Sequence, residues 1–115
     1  MTKHNPRVTL AQIEEAAEKV EALCAGKTFE VFSEDWVAGM ALECLFLIIG
    51  EAVKRLREDL CESYPEVPWR KIASTRDCLA HGYDEVEGVI LWNAATVSIR
   101  EMRRTIRVIL SEINP

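Results

Sequence analysis

The sequence predicts an all-α protein, a bundle of four main helices. Three observations predict it. Apolar residues recur at three- and four-residue spacing over several stretches, no segment shows the strict alternation of a half-buried strand, and there is neither an internal repeat nor a Gly-rich phosphate loop. A chain of 115 residues is one domain's worth, so residues 1–7 read as a polar leader and 8–115 as a single helical domain. Five glycines and four prolines leave little room for a low-complexity linker.

The first helix is expected to open at Thr9-Leu10-Ala11-Gln12, which fits a capping box. Leu10, Ile13, Ala17, Val20 and Cys24 then form its apolar stripe, and Gly26 suits a left-handed C-terminal cap. Its Glu14, Glu15, Glu18 and Glu21 read as a solvated acidic face. Ser33 is the expected N-cap of a long second helix, with Glu34 and Asp35 at the positive end of its dipole. The expected stripe there is Ala41, Leu45, Ile48, Ala52, Leu56 and Leu60, widened by the run Leu45-Phe46-Leu47-Ile48-Ile49. So broad an apolar surface needs more than one partner, which implies a bundle centre or a dimer surface.

Gly50 and Glu51 interrupt that run, and a carboxylate there is costly to bury unpaired. Two readings of Glu51 stand: it faces outward with Lys54 and Arg55 at i+3 and i+4, or it orients an arginine or histidine of a site. Pro65 and Pro68 bracket a turn, with Pro68 as the first residue of a third, short helix anchored by Trp69 and ended by Gly82. After the acidic connection 84–88, the last helix carries the cleanest stripe of the chain: Trp92, Ala95, Ile99, Met102, Ile106, Ile109 and Ile113. Arg100, Arg103, Arg104 and Arg107 flank it. They read either as a solvated face or as a phosphate-tracking ridge.

A net charge of −5 argues against affinity for nucleic acid through an overall basic surface. The charge is uneven: residues 1–65 hold 7 Lys/Arg against 12 Asp/Glu, residues 66–115 hold 7 against 7. Any phosphate-binding surface therefore belongs to the second half. Cys24, Cys44, Cys61 and Cys78 have no C-x-x-C spacing and read as reduced core thiols rather than metal ligands. The N-terminus lacks an apolar targeting region, and no run approaches the roughly 18 apolar residues of a membrane span, so a cytoplasmic protein with no membrane association is expected.

Chemistry concentrates in Arg76-Asp77-Cys78-Leu79-Ala80-His81-Gly82-Tyr83. RNA cleaves itself when its 2′-hydroxyl attacks the adjacent phosphate, given a group to manage protons and another to stabilise the added negative charge. His81 suits the first task and Arg76 the second, with neither metal nor cofactor required. Five residues set the two about 140° apart around a continuous helix. Two copies meeting about a symmetry axis can line one groove with both pairs, so catalysis is expected to need a homodimer.

The run Arg76 to His81 matches the R-x4-H motif of HEPN-domain ribonucleases, and its extension to Tyr83 matches the R-x4-H-x-Y form of the HepT toxins. Ile49-Gly50-Glu51-Ala52, the Tyr64 to Trp69 turn, His81-Gly82-Tyr83-Asp84 and Leu91-Trp92 fit in the same order, so the resemblance covers almost the whole chain. It implies a HEPN domain, a four-helix bundle with room for an extra short helix, that forms a homodimer. Arg76 and His81 take the catalytic positions, Asp77 the polar position after the arginine, and Glu51 a recurrent Gly-Glu in a supporting place. Tyr83 takes the position of the tyrosine that an MNT-type nucleotidyltransferase antitoxin modifies with AMP. A bulky anionic group two residues from His81 obstructs RNA and repels its phosphates.

The leading expectation is thus a metal-independent endoribonuclease toxin of a HepT–MNT pair acting on RNA. The alternative is a non-catalytic subunit that binds nucleotide or substrate for a nucleotidyltransferase. A blander one is a structural helical dimer in which the motif serves as a cap.

Overall fold

The computed structural model describes residues 5–80 and 88–113, except for the side chains of 75–80 and 88. The described residues are helical throughout their regular structure: α1 (Pro6–Cys24), α2 (Phe29–Ser33), α3 (Trp36–Arg55), α4 (Glu58–Glu62), α5 (Trp69–Ala80), α6 (Gly88–Asn93), a π turn (Ala94–Ser98) and α7 (Ile99–Glu112). The four main helices are α1, α3, α5 and the continuous rod from α6 to α7. The short α2 and α4 are additions at the ends.

Helix α1 starts earlier than the capping box at Thr9 to Gln12 predicts. Asn5 caps it by accepting the Arg7 amide proton on its side-chain oxygen at 2.9 Å, and Pro6, with no amide proton to satisfy, takes the first helical position. Thr9 is buried inside the helix. The predicted stripe holds: Leu10, Ile13, Ala17, Val20 and Cys24 are all buried. Gly26 adopts φ +72, the left-handed conformation expected of it at the helix end.

Ser33 does not cap the long helix. It closes α2, where its hydroxyl donates back to the Glu30 carbonyl at 2.8 Å, and Asp35 caps α3 by accepting the Ala38 amide proton at 3.0 Å. α2 is held by Phe32, buried against Trp92 with ring centroids 5.0 Å apart. α3 stops at Arg55, where Leu56 turns extended, so Leu60 belongs to α4 and not to the α3 stripe. The buried face of α3 is Ala38, Leu42, Phe46, Ile49, Gly50, Ala52 and Val53. The predicted Ala52 and Leu56 are buried, but earlier in the helix the face lies one residue out of phase with the predicted Ala41, Leu45 and Ile48, and Ile48 is exposed.

By length and composition α3 is apolar enough to cross a membrane, which the count of uninterrupted apolar residues missed. Here it is a core helix, with α1 packed on one side and α5 on the other. α5 begins immediately after Pro68, one residue later than predicted, and Trp69 anchors it as expected, buried with its indole proton donated to the Tyr64 carbonyl at 3.0 Å. In the last rod Ala95, Ile99, Met102, Ile106 and Ile109 are buried as predicted. The π turn was not foreseen. The Thr96 hydroxyl donates to the Trp92 carbonyl at 2.9 Å within it.

Three contacts fix the directions. Arg55 reaches Gln12, Val53 and Leu56 share a pocket with Trp69 and Ala73, and Arg7 donates to the Leu110 and Ile113 carbonyls. α3 is therefore antiparallel to α1, α5 antiparallel to α3, and α7 antiparallel to α1. The C-terminal ends of α1 and α5 and the N-terminal end of α3 consequently share one end of the bundle. α2 and α6, which touch each other, lie there too.

Candidate functional site

The motif residues Arg76 and Asp77 lie on the last turns of α5, four and three residues before its end at Ala80. The helix is continuous through both. His81 and Tyr83 lie outside the described residues, and so does the expected helix stop at Gly82. Because α5 ends where α3 begins, Arg76 is carried to the α2 end of the bundle.

That end carries an unusual amount of apolar surface. Trp36, the first residue of α3, is 73% exposed, Met40 62% and Val37 57%, and Val31 of α2 and Val89 and Ile90 of α6 are exposed as well. Along α3, Val37, Met40, Cys44 and Ile48 follow one another at three and four residues and form one outward stripe. Glu51 continues that line and is exposed, and Arg55 reaches Gln12 of α1 at 3.0 Å. The stripe is what the sequence reading missed. The apolar run of α3 signalled it, but gave no means of telling the buried side from the open one.

The cysteines divide. Cys24 is buried and Cys61 half-buried, but Cys44 is exposed on the α3 stripe, which corrects its expected place in the core; the Cys78 side chain lies outside the described residues. Burial pushes the Cys24 thiol up against the opposing pull of Lys27, and burial followed by Asp59, Glu58 and Glu62 pushes the Cys61 thiol up. Neither is poised as a nucleophile.

The four late arginines do not act as one ridge. Arg103 is drawn down onto α1, donating to Glu21 at 3.0 Å and to Glu18 at 3.1 Å, and its side chain is only 15% exposed. Arg107 donates through Nε to Glu14 at 3.2 Å. The acidic face of α1 is therefore partly an interhelical seam: Glu14 and Glu21 are drawn into it, Glu18 pairs with Arg103 while staying exposed, and Glu15, paired with Lys19 at 3.6 Å, keeps the solvated role expected of all four. Arg100 and Arg104 are exposed, with no carboxylate partner among the described residues.

Residues 13–109 match the family described as Ribonuclease HepT-like. The chain is 36% identical over 107 residues to "Putative RNase TTE0752" of Caldanaerobacter subterraneus subsp. tengcongensis, covering 93% of this chain and 96% of that one. It is 34% identical over 101 residues to "Probable ribonuclease HepT" of Thermococcus cleftensis, covering 88% and 92%. It is 32% identical over 113 residues to "Putative RNase MJ0127" of Methanocaldococcus jannaschii, covering 98% and 93%. No solved structure gives a significant match to the chain.

Proposed function

The chain belongs to the HepT-like ribonuclease family, and from that premise we propose that it is a metal-independent endoribonuclease, the toxin of a toxin–antitoxin pair, acting as a homodimer. The observation that carries this reading is the intact set Arg76, His81 and Tyr83 within a chain of that family, with Arg76 on the last turns of α5.

In this mechanism the 2′-oxygen of one nucleotide attacks the adjacent phosphorus, the bond to the 5′-oxygen of the next nucleotide breaks, and a cyclic phosphate and a free 5′-hydroxyl result. His81 exchanges the proton on the attacking or leaving oxygen, and the Arg76 guanidinium holds the phosphate oxygens as their charge grows. Asp77 supports the arginine on the same turn, and Glu51 supports the site from α3. At a five-residue spacing a continuous helix would set Arg76 and His81 on different faces, and a groove built from two copies would supply both pairs. The open α3 stripe at the same end of the bundle supports such a pairing. An MNT-type nucleotidyltransferase that adds AMP to Tyr83 would silence the enzyme by placing bulk and negative charge beside His81.

The test is cleavage of RNA in EDTA by the parent, Arg76→Ala and His81→Ala proteins, with cyclic-phosphate ends and growth inhibition as readouts. Cleavage and toxicity in the parent alone support the reading; undiminished cleavage by both variants refutes the assigned pair. The acidic balance of the chain, −5, favours a second reading, a non-catalytic subunit binding nucleotide for a transferase. In that case pure parent protein leaves RNA intact while AMP transfer to Tyr83 still proceeds with the partner present.

A further inference from the structure

We infer that the groove between α1 and α7 is a track for the backbone of single-stranded RNA, in which Lys27, Arg100 and Arg104 hold phosphates while Arg103 and Arg107 only fix its walls. This rests on the ribonuclease reading and extends it to a surface away from the Arg76–His81 motif.

The groove is made of two adjoining clefts. A cavity of about 540 Å³ between the end of α1 and the π turn is lined by Lys27, Thr96, Arg100, Arg103, Glu18 and Glu21, among others. A second cleft of about 270 Å³ shares Glu21, Arg100 and Arg103 with it and continues past Arg104 and Arg107. Together they form a channel along the α1–α7 seam.

The charges in this channel have separate tasks. Arg103 is mostly buried and gives both terminal nitrogens to Glu21 and Glu18, so it cannot swing out to a ligand without breaking the seam; its buried Nε has no acceptor among the described residues. It also offsets part of the two glutamates' repulsion of an anion. Arg107 and Glu14 cancel one another. Lys27, Arg100 and Arg104 remain, with no carboxylate partner among the described residues. The channel is thus locally cationic on a chain whose net charge is −5.

Arg100 and Arg104 stand one turn apart, about 6 Å along the helix. Each presents a planar fork suited to phosphate oxygens. Lys27, just past the end of α1, lies at the end of the bundle that α5 also reaches with its last turn. A strand leaving the neighbourhood of α5 can enter the groove at Lys27 and run along α7. An anionic track of this kind adds affinity without sequence preference.

The experiment uses full-length His81→Ala protein, so that RNA is bound and not cut, and measures anisotropy of a labelled single-stranded RNA across a salt series. Arg100→Ala/Arg104→Ala in that background is expected to lose about tenfold or more in affinity at low salt and to flatten the log–log salt slope by roughly 1.4, with Lys27→Ala removing roughly 0.7 more. Both arginines are exposed and have no carboxylate partner among the described residues, so helicity and denaturation midpoint should stay at the parent's values. An unchanged slope, or no RNA binding by the parent, overturns the track. If the double variant instead loses binding to a polyglutamate peptide and keeps its RNA slope, the groove serves an acidic protein and the inference is wrong. Cleavage by the otherwise unaltered chain is assayed separately, so cleavage with an unchanged slope sinks the groove and leaves the nuclease reading standing.

Discussion

Arg103 Nη1 donates to Glu21 Oε2 at 3.0 Å across 82 positions of sequence, and this pair closes the seam between α1 and α7. The hydrogen bond raises the guanidinium pKa against a burial that lowers it, so the charge persists at every accessible pH. Glu21 is 27% exposed on its side chain and Glu18 is 66% exposed, although both hold the same arginine. Removing Glu21 leaves a mostly buried cation with one exposed partner, whereas removing Glu18 costs a solvent-screened contact. Glu21→Ala should therefore lose about 1–3 kcal/mol and Glu18→Ala less than about 1 kcal/mol in urea unfolding. Equal losses would contradict the assignment of Glu21 as the structural partner.

Tyr64 ties the turn before α5 to the end of α7 by donating its phenolic proton to Glu112 Oε1 at 2.6 Å. That bond, ahead of burial and of the Coulombic effect of Glu112 and Glu66, raises the phenol pKa above its ordinary value near 10.0. The folded state favours the protonated form, so the stabilisation is fully present below the unfolded pKa and is lost as pH climbs through the raised folded value. With Tyr83→Phe in the background Tyr64 is the single tyrosine, and its phenolate absorbance should titrate above that of free tyrosine. Stability of Tyr64→Phe should lack the alkaline loss; a normal midpoint in the titration refutes the bond in solution.

The stripe of α1, its stop at Gly26 and the stripe of α7 were legible because one clear period runs through each and a glycine or a single buried face closes it. The phase of α3 was not. Leu45 through Ile49 is apolar on every side, so spacing alone cannot say that Phe46 is buried and Ile48 open. Nor was the cap legible: Ser33 was expected there, but Phe32 packing on Trp92 makes a separate α2 and passes the cap to Asp35. For the site, residue chemistry pointed to Arg76 and His81, and the family resemblance added Tyr83. Separating Arg103 and Arg107 from Arg100 and Arg104 required knowing which glutamates of α1 stand opposite, a tertiary fact with no local signature.

The expected cap and the observed one make unequal predictions. Asp35 accepts the Ala38 amide proton at 3.0 Å and satisfies a helix end, while the Ser33 hydroxyl only bonds back within its own turn. Asp35→Ala should cost about 1 kcal/mol, within a span of roughly 0.5–2 kcal/mol. Ser33→Ala should change stability by less than about 0.5 kcal/mol. Thermal or urea unfolding of the two variants decides it, and a larger loss at Ser33 would return the cap to the position first expected from sequence.

The open α3 stripe is the place to test the homodimer on which the proposed site depends. Val37 to Ile48 spans about 16 Å along the helix with Cys44 near its middle, and a two-fold axis crossing there lets the same stripe cover itself. Met40 is 62% exposed, so Met40→Glu should leave helicity and folding of the single chain intact. In a self-paired stripe the same change sets two carboxylates into an apolar contact, a cost of several kcal/mol that should shift sedimentation to the monomer. RNA cleavage should fall at least about tenfold with it, since a shift of about 1.4 kcal/mol already does that. Mild oxidation should crosslink the parent through Cys44, and Cys44→Ser should abolish the crosslink. A Met40→Glu protein that remains a fully active dimer would mean that the copies meet elsewhere, and a parent that is monomeric while cutting RNA would remove the need for a second copy altogether.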